Sequence, residues 1–252
     1  FFYMCDPIIY VLLGLAVGYI GGFAGIGGGP FLVSFLVLYC GMSQLVAQGN
    51  ILTMMLGPMS LLGVMSLYQY VKTQWLNIVV GVICYCICSY FGAIFAFYIG
   101  ETDLKYYFAV LLIIIALMQF RSYLRKNAKE PHKEHISVYW IGVLAAVTGI
   151  LGGMFGIGAG VLMVPILIGV FKLKKEYARA LSLAILIPPV SYGAFIKYNN
   201  VNPVDWQLVG ILFGTYFIAN FFGARMGSKI SGKAFTLIYG LILLSIAIIY
   251  LV

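Results

Sequence analysis

A glycine-rich motif interrupts an over-long apolar segment twice in this chain, 131 residues apart, and this pair constrains the fold more than any other feature. The first copy reads Gly25-Ile26-Gly27-Gly28-Gly29-Pro30 and the second Gly156-Ile157-Gly158-Ala159-Gly160. Offsetting the sequence by 131 residues aligns positions 18–116 with 149–247 without a gap, and 23 of the 99 positions are identical. Composition alone would give roughly eight matches, so the halves are a repeat. Pro58/Pro189, Ser60/Ser191, Trp75/Trp206 and the Phe-Gly-Ala triplets ending at Ala93 and Ala224 are among the matched positions.

Water is not the main solvent of this chain. Charged residues make up 9% of the 252 and hydrophobic residues 63%, against about 25% charged in soluble domains. No Asp, Glu, Lys or Arg occurs over 7–71, and further uncharged stretches cover 73–100, 106–120, 136–171, 180–196, 206–224 and 234–252. Most are near the roughly 20 residues that one bilayer crossing needs. The expected class is an all-α polytopic membrane protein in a lipid bilayer. The net charge of +8 does not point to nucleic acid, because the basic residues fall in short loops between spans, where cytoplasmic orientation accounts for them.

Each half holds the Gly-interrupted element, at 10–39 and 138–171, followed by three expected transmembrane helices: 47–70, 74–98 and 104–120, then 180–196, 205–224 and 234–252. The domain reading is a first repeat over 1–120, a basic linker over 121–137 and a second repeat over 138–252. If each broken element enters the membrane and returns on the same side, 13 of the 15 Lys and Arg residues face one compartment. Positive-inside logic makes that side, with the central linker, cytoplasmic and both termini extracytoplasmic in a multi-pass cell-membrane protein. Three full crossings then invert the second half relative to the first, so the reading is an inverted repeat with re-entrant helical hairpins.

A chain that reverses inside hydrocarbon must bury its free backbone groups in protein or line a wet cavity with them. Glycine permits the turn, and Pro30 suits the first turn of the following helix. A half-helix of ten residues is about 15 Å long, so its N-terminus falls near the midplane. Two such N-termini facing one another suit a small anionic substrate. The candidate binding residues are therefore Gly25, Gly27, Gly28, Gly29 and Pro30 with Gly156, Gly158, Ala159 and Gly160. The competing reading is that these glycines only permit close helix packing. Gln48, Asn50, Arg179 and Ser182 are further candidates at the starts of the next spans, Gln48 aligning with Arg179 across the repeat. Arg179 reads either as an attractor of anions at the cytoplasmic mouth or as an interfacial anchor. Ser60 and Ser191 could donate to oxyanion oxygens, or satisfy carbonyls freed where Pro58, Pro188 and Pro189 kink their helices.

Cys84, Cys86 and Cys88 do not share one helical face, which is poor geometry for a metal, and the five cysteines suggest no disulfide framework. No cofactor is called for. The sequence lacks His-Glu-x-x-His, Gly-x-Ser-x-Gly and an intramembrane acid pair, so it is read as a non-enzyme. An anion channel is the nearest alternative and an intramembrane enzyme the next.

The doubled Gly-Ile-Gly motif, the Gly-x-Gly-x-Gly-x-x-x-x-Pro form ending at Pro165, the Ala-x-Ala-x-Ser pattern at 178–182 and the Phe-Gly-Ala triplets together resemble the sulfite exporter TauE/SafE family of permeases. The resemblance implies transport of sulfite, another sulfur oxyanion or an organosulfonate. Ser34, where the second half has Pro165, and Ala159 within the second glycine run depart from the family pattern. No predicted span carries the Asp, Glu or His relay of many proton-coupled pumps, so membrane potential is the expected driving force.

Overall fold

A computed structural model describes residues 6–24, 27–124, 133–227 and 232–251 of the chain. The first half comprises α1 (Pro7–Ala24), α2 (Gly29–Leu38), α3 (Gln44–Met54), α4 (Leu61–Met65), α5 (Tyr68–Val71), α6 (Trp75–Ile99) and α7 (Glu101–Leu124). The second comprises α8 (Val138–Phe155), α9 (Gly160–Gly169), α10 (Lys175–Ile185), α11 (Tyr192–Asn199), α12 (Trp206–Gly227) and α13 (Gly232–Leu251). The starts 7/138, 29/160, 44/175, 61/192, 75/206 and 101/232 each differ by 131, so the offset found in the sequence also sets the helix register.

Among the described residues, four helical stretches are long and apolar enough to cross a membrane: Trp75–Ile99, Glu101–Arg121, Val138–Phe155 and Trp206–Met226. Glu101 and Asp103 lie in the first turn of α7 and Arg121 in its last, the placement that complements a helix dipole. α2 and α9 have ten residues each, about 15 Å or half the hydrocarbon thickness. Both follow the glycine turns, as the pattern predicts.

Two expected helices are not continuous. The 47–70 segment divides into α3, α4 and α5, and the 180–196 segment into α10 and α11. The α3–α4 break falls at Pro58 and the α10–α11 break at Pro188-Pro189, while α4 and α5 part at Ser66-Leu67 without a proline. Proline lacks the N–H that would continue the ladder, and it drives the preceding residue out of helical conformation. Each half therefore has two interrupted elements, not one followed by three uninterrupted helices. The cysteine reading also needs correcting, because Cys40 is disulfide-bonded.

The halves interlock. α1 packs along α12, α8 along α6, and α7 against α13. A Cβ built at Gly22 would lie 2.2 Å from the Asn220 carbonyl oxygen, and one at its repeat partner Gly153 would lie 2.0 Å from that of Ser89. Gly18 meets the Tyr216 backbone, and Gly149 meets that of Tyr85. These helices touch backbone to backbone, a contact that only a missing side chain permits. The close-packing reading is therefore correct for the helical glycines that precede each motif.

The two ends of α6 carry different loops. At its N-terminal end, Gln74 donates to the Glu134 carbonyl at 3.1 Å and Asn77 to the Ile136 carbonyl at 3.2 Å. Glu134 pairs with Lys174 of the α9–α10 loop and accepts from the Tyr177 hydroxyl at 3.2 Å. Beside it, Lys133 and Leu173 form an isolated parallel bridge. The hydrogen bond and charge of Lys174 hold the Glu134 carboxyl below the usual carboxylate range, and Glu134 in turn raises the Lys174 ammonium. At the other end, Glu101 follows α6 directly and accepts from the Gln44 N–H, at the start of α3, at 3.1 Å. The α2–α3 and α9–α10 loops are repeat partners, and they lie at opposite ends of the same helix.

Candidate functional site

The two glycine turns meet in the interior. Gly27, Gly28, Gly29 and Pro30 are buried, as are Gly156, Gly158, Ala159 and Gly160. A Cβ built at Gly29 would lie 2.7 Å from the Gly156 carbonyl oxygen and 2.7 Å from the Ile157 Cα. The repeat partners Gly27 and Gly158 have φ of +78° and +72°, which L side chains rarely adopt. Gly156 ends α8 in a left-handed cap with φ +67°. Gly28 caps the N-terminus of α2 and Ala159 that of α9, neither with a side-chain hydrogen bond. Gly25 lies outside the described residues.

Gln48 and Arg179, matched across the repeat, each reach into the opposite half. Gln48 packs against Gly156: a Cβ built there would lie 3.3 Å from the Gln48 Cα. Arg179 Nη2 donates to the Gly22 carbonyl at 3.0 Å, and neighbouring Gly21 abuts the backbone of Gly27 and Gly28. The second-half side chain thus bonds the helix that leads into the first turn, and the first-half side chain packs on the second turn.

Arg179 is 2% exposed and forms no ion pair with any carboxylate among the described residues; its Nε has no hydrogen-bond partner. Glu176, three residues earlier on α10, is exposed. Arg179 is not an interfacial anchor, because such a side chain keeps its head in water. Gln48 Nε2 and Ser182 Oγ are likewise buried and unpartnered. Removing such donors from water carries a cost that a missing partner would offset.

The remaining predicted residues have local partners. Asn50 donates to the Val46 carbonyl at 3.1 Å and accepts from the Asp205 N–H at 2.9 Å, which fixes the start of α12 to α3. Ser60 donates to the Leu183 carbonyl at 2.7 Å and Ser191 to the Leu52 carbonyl at 2.9 Å. Both hydroxyl protons serve carbonyls where α10 and α3 end, as the kink reading anticipates, except that each serves the other half's helix.

Sequence reading missed three tyrosines. The Tyr198 hydroxyl is buried and donates to Gln48 Oε1 at 2.9 Å, leaving the amide NH2 of Gln48 to point elsewhere. The Tyr216 ring lies against Gly28, where an added Cβ would stand 3.1 Å from its Cε2. Tyr85, its repeat partner, lies beside Gly152 as Tyr216 lies beside Gly21. Identity at the 131-residue offset could have singled out Tyr85 and Tyr216; nothing comparable marks Tyr198.

Together, an all-helical fold with four candidate membrane spans among the described residues and two glycine turns meeting in its interior define a polytopic membrane protein. The chain belongs to the sulfite exporter TauE/SafE family, whose profile matches residues 10–250. It is 26% identical to the probable membrane transporter protein YunE of Bacillus subtilis, over 95% of each chain. A probable membrane transporter protein of Methanocaldococcus jannaschii is 29% identical over 80% of this chain and 75% of its own. YdhB of Bacillus subtilis, also named a probable membrane transporter protein, is 28% identical over 88% of this chain and 89% of its own. No solved structure matches the chain.

Proposed function

We propose that this transporter is a permease for a small anion, taken up at the meeting point of the two glycine turns and released on the other side of the cell membrane. The observation that carries the reading is Arg179, a guanidinium 2% exposed with no carboxylate partner among the described residues. An unpaired buried cation is costly, and an anionic ligand offsets that cost when it binds. Gln48 Nε2 and Ser182 Oγ add buried donors, and the turns add backbone N–H groups. Pyramidal and tetrahedral oxyanions, which present acceptors in several directions, suit such a set. The family's description names sulfite, so sulfite, another sulfur oxyanion or an organosulfonate is the proposed substrate.

The two halves are read as inverted repeats, each with a re-entrant hairpin. The support is that repeat-matched loops lie at opposite ends of α6, one beside Glu101 and the other beside Glu134. The basic residues Lys133, Lys172, Lys174 and Lys175 gather at the Glu134 end, which positive-inside logic makes cytoplasmic. The termini then lie outside, and the domains follow the repeats, 1–120 and 138–252, around a linker over 121–137.

Flux of sulfite and short sulfonates into proteoliposomes, under imposed potentials of either sign, tests the reading. Saturable flux that Arg179→Gln abolishes in a folded protein is the expected result. Flux unchanged in that variant would remove Arg179 from the site, and single-channel conductance in planar bilayers would move the protein to the channel class.

A further inference from the structure

The geometry points to a site that neutralises one negative charge, so that the permease carries monoanions and rejects dianions of the same size. The inference rests on the anion-permease reading above and adds the charge state of the substrate.

Arg179 is the only charged side chain buried among the described residues; every other buried polar side chain is neutral. A duplicated site could have supplied two cations, one from each half. It does not, because the repeat partner of Arg179 is Gln48, also buried and held by Tyr198 through its carbonyl oxygen. The amide offers hydrogen-bond donors but no net charge.

Helix dipoles do not make up the difference. At each turn the carboxyl end of one helix, α1 or α8, directly precedes the amino end of the next, α2 or α9. The partial charges of the two ends are opposite in sign and offset one another at short range. Their N–H groups remain useful as directional donors, while the one buried full positive charge among the described residues is that of Arg179; half-buried Lys175, one turn earlier on α10, has the opposite charge of Glu176 beside it.

The two turns also differ in the space beside them. A Cβ built at Gly158 would lie 2.3 Å from the Met55 Cε, so a methionine fills that side. At Gly27, buried and in the same left-handed conformation, a Cβ would meet nothing within 4 Å. The open side is the turn that follows α1, the helix to which Arg179 is bonded at Gly22. A monoanion seated there is paired once; a second charge would stay unpaired in a low-dielectric interior, which is strongly disfavoured.

The test compares methanesulfonate with sulfate, close in size and different by one charge, in proteoliposomes holding the full chain, with sulfite as the reference substrate. The expected result is a kcat/KM for methanesulfonate at least about tenfold above that for sulfate, and sulfite flux that rises as pH falls and converts the dianion to the monoanion. Gln48→Arg, which supplies the missing second charge, should narrow or reverse the ratio. Equal uptake of methanesulfonate and sulfate by the wild-type protein would overturn the inference and leave the permease reading standing. Absence of flux for all three anions would overturn that reading and the inference with it. The wild-type comparison stands whether or not the variant folds.

Discussion

Ser60 of the first half donates its hydroxyl proton to the carbonyl of Leu183 in the second, at 2.7 Å. The repeat-related bond, from Ser191 to Leu52 at 2.9 Å, ties the halves in the opposite direction. Both donors follow the prolines that interrupt their helices, and both acceptors lie in the last turns before such an interruption.

Ser60→Ala and Ser191→Ala should each destabilise the protein by about 0.5–1.5 kcal/mol, because each removes a buried hydrogen bond across the interface. The two sites are separate bonds, so the double variant should be near the sum of the singles. Thermal unfolding in detergent measures this; a fully neutral double variant would mean that water replaces both hydroxyls.

Glycine substitutions should sort by contact. Gly22→Ala and Gly153→Ala place a Cβ 2.2 Å and 2.0 Å from backbone oxygens of the neighbouring helix, which cannot rotate away. A cost of about 1–3 kcal/mol or more is expected. Gly210→Ala, on α12, meets nothing within 4 Å and should gain about 0.5–1 kcal/mol from helix propensity. Melting temperatures of the three variants separate the cases.

The Glu134–Lys174 contact should persist across the physiological range. Glu134 is held below the ordinary carboxylate range, so its contribution is complete above about pH 4.3 and is lost as pH falls through its lowered value. Lys174 is raised, so its contribution is complete below about pH 10.4 and is lost as pH rises through its raised value. Glu134→Gln should release the ammonium and speed acylation of Lys174 by an amine reagent at pH 8, read by mass spectrometry. An unchanged labelling rate would show that the pair is not populated.

Tyr198→Phe removes the hydrogen bond that fixes the Gln48 amide. A stability loss of about 1 kcal/mol is expected, with a higher KM for the transported anion and a smaller change in kcat. A purely structural role would lower stability and leave KM in place.

The fold was largely legible because a duplication marks its own boundaries: the 131-residue offset read from glycines and prolines recurs in the first residues of six helix pairs. The depth of the interruptions at Pro58 and Pro188-Pro189 is not legible in sequence, since a kinked continuous helix and two short helices have the same apolar composition. The candidate site was only partly legible. Spacing brought the glycine turns forward, yet Arg179 looked like a loop-edge cation, because its burial depends on Gly22, a residue 157 positions away. Tyr198 carries no pattern at all; its role exists only where α11 folds back on α3.

The exchange of helices between halves has a consequence for biogenesis. In chain order, the glycine face of α1 stays unmatched until α12 has been made, while α6 can dock on α8 as soon as that helix emerges. The first half leaves the translocon as an open template, and the last helices to be inserted close a core that neither half owns.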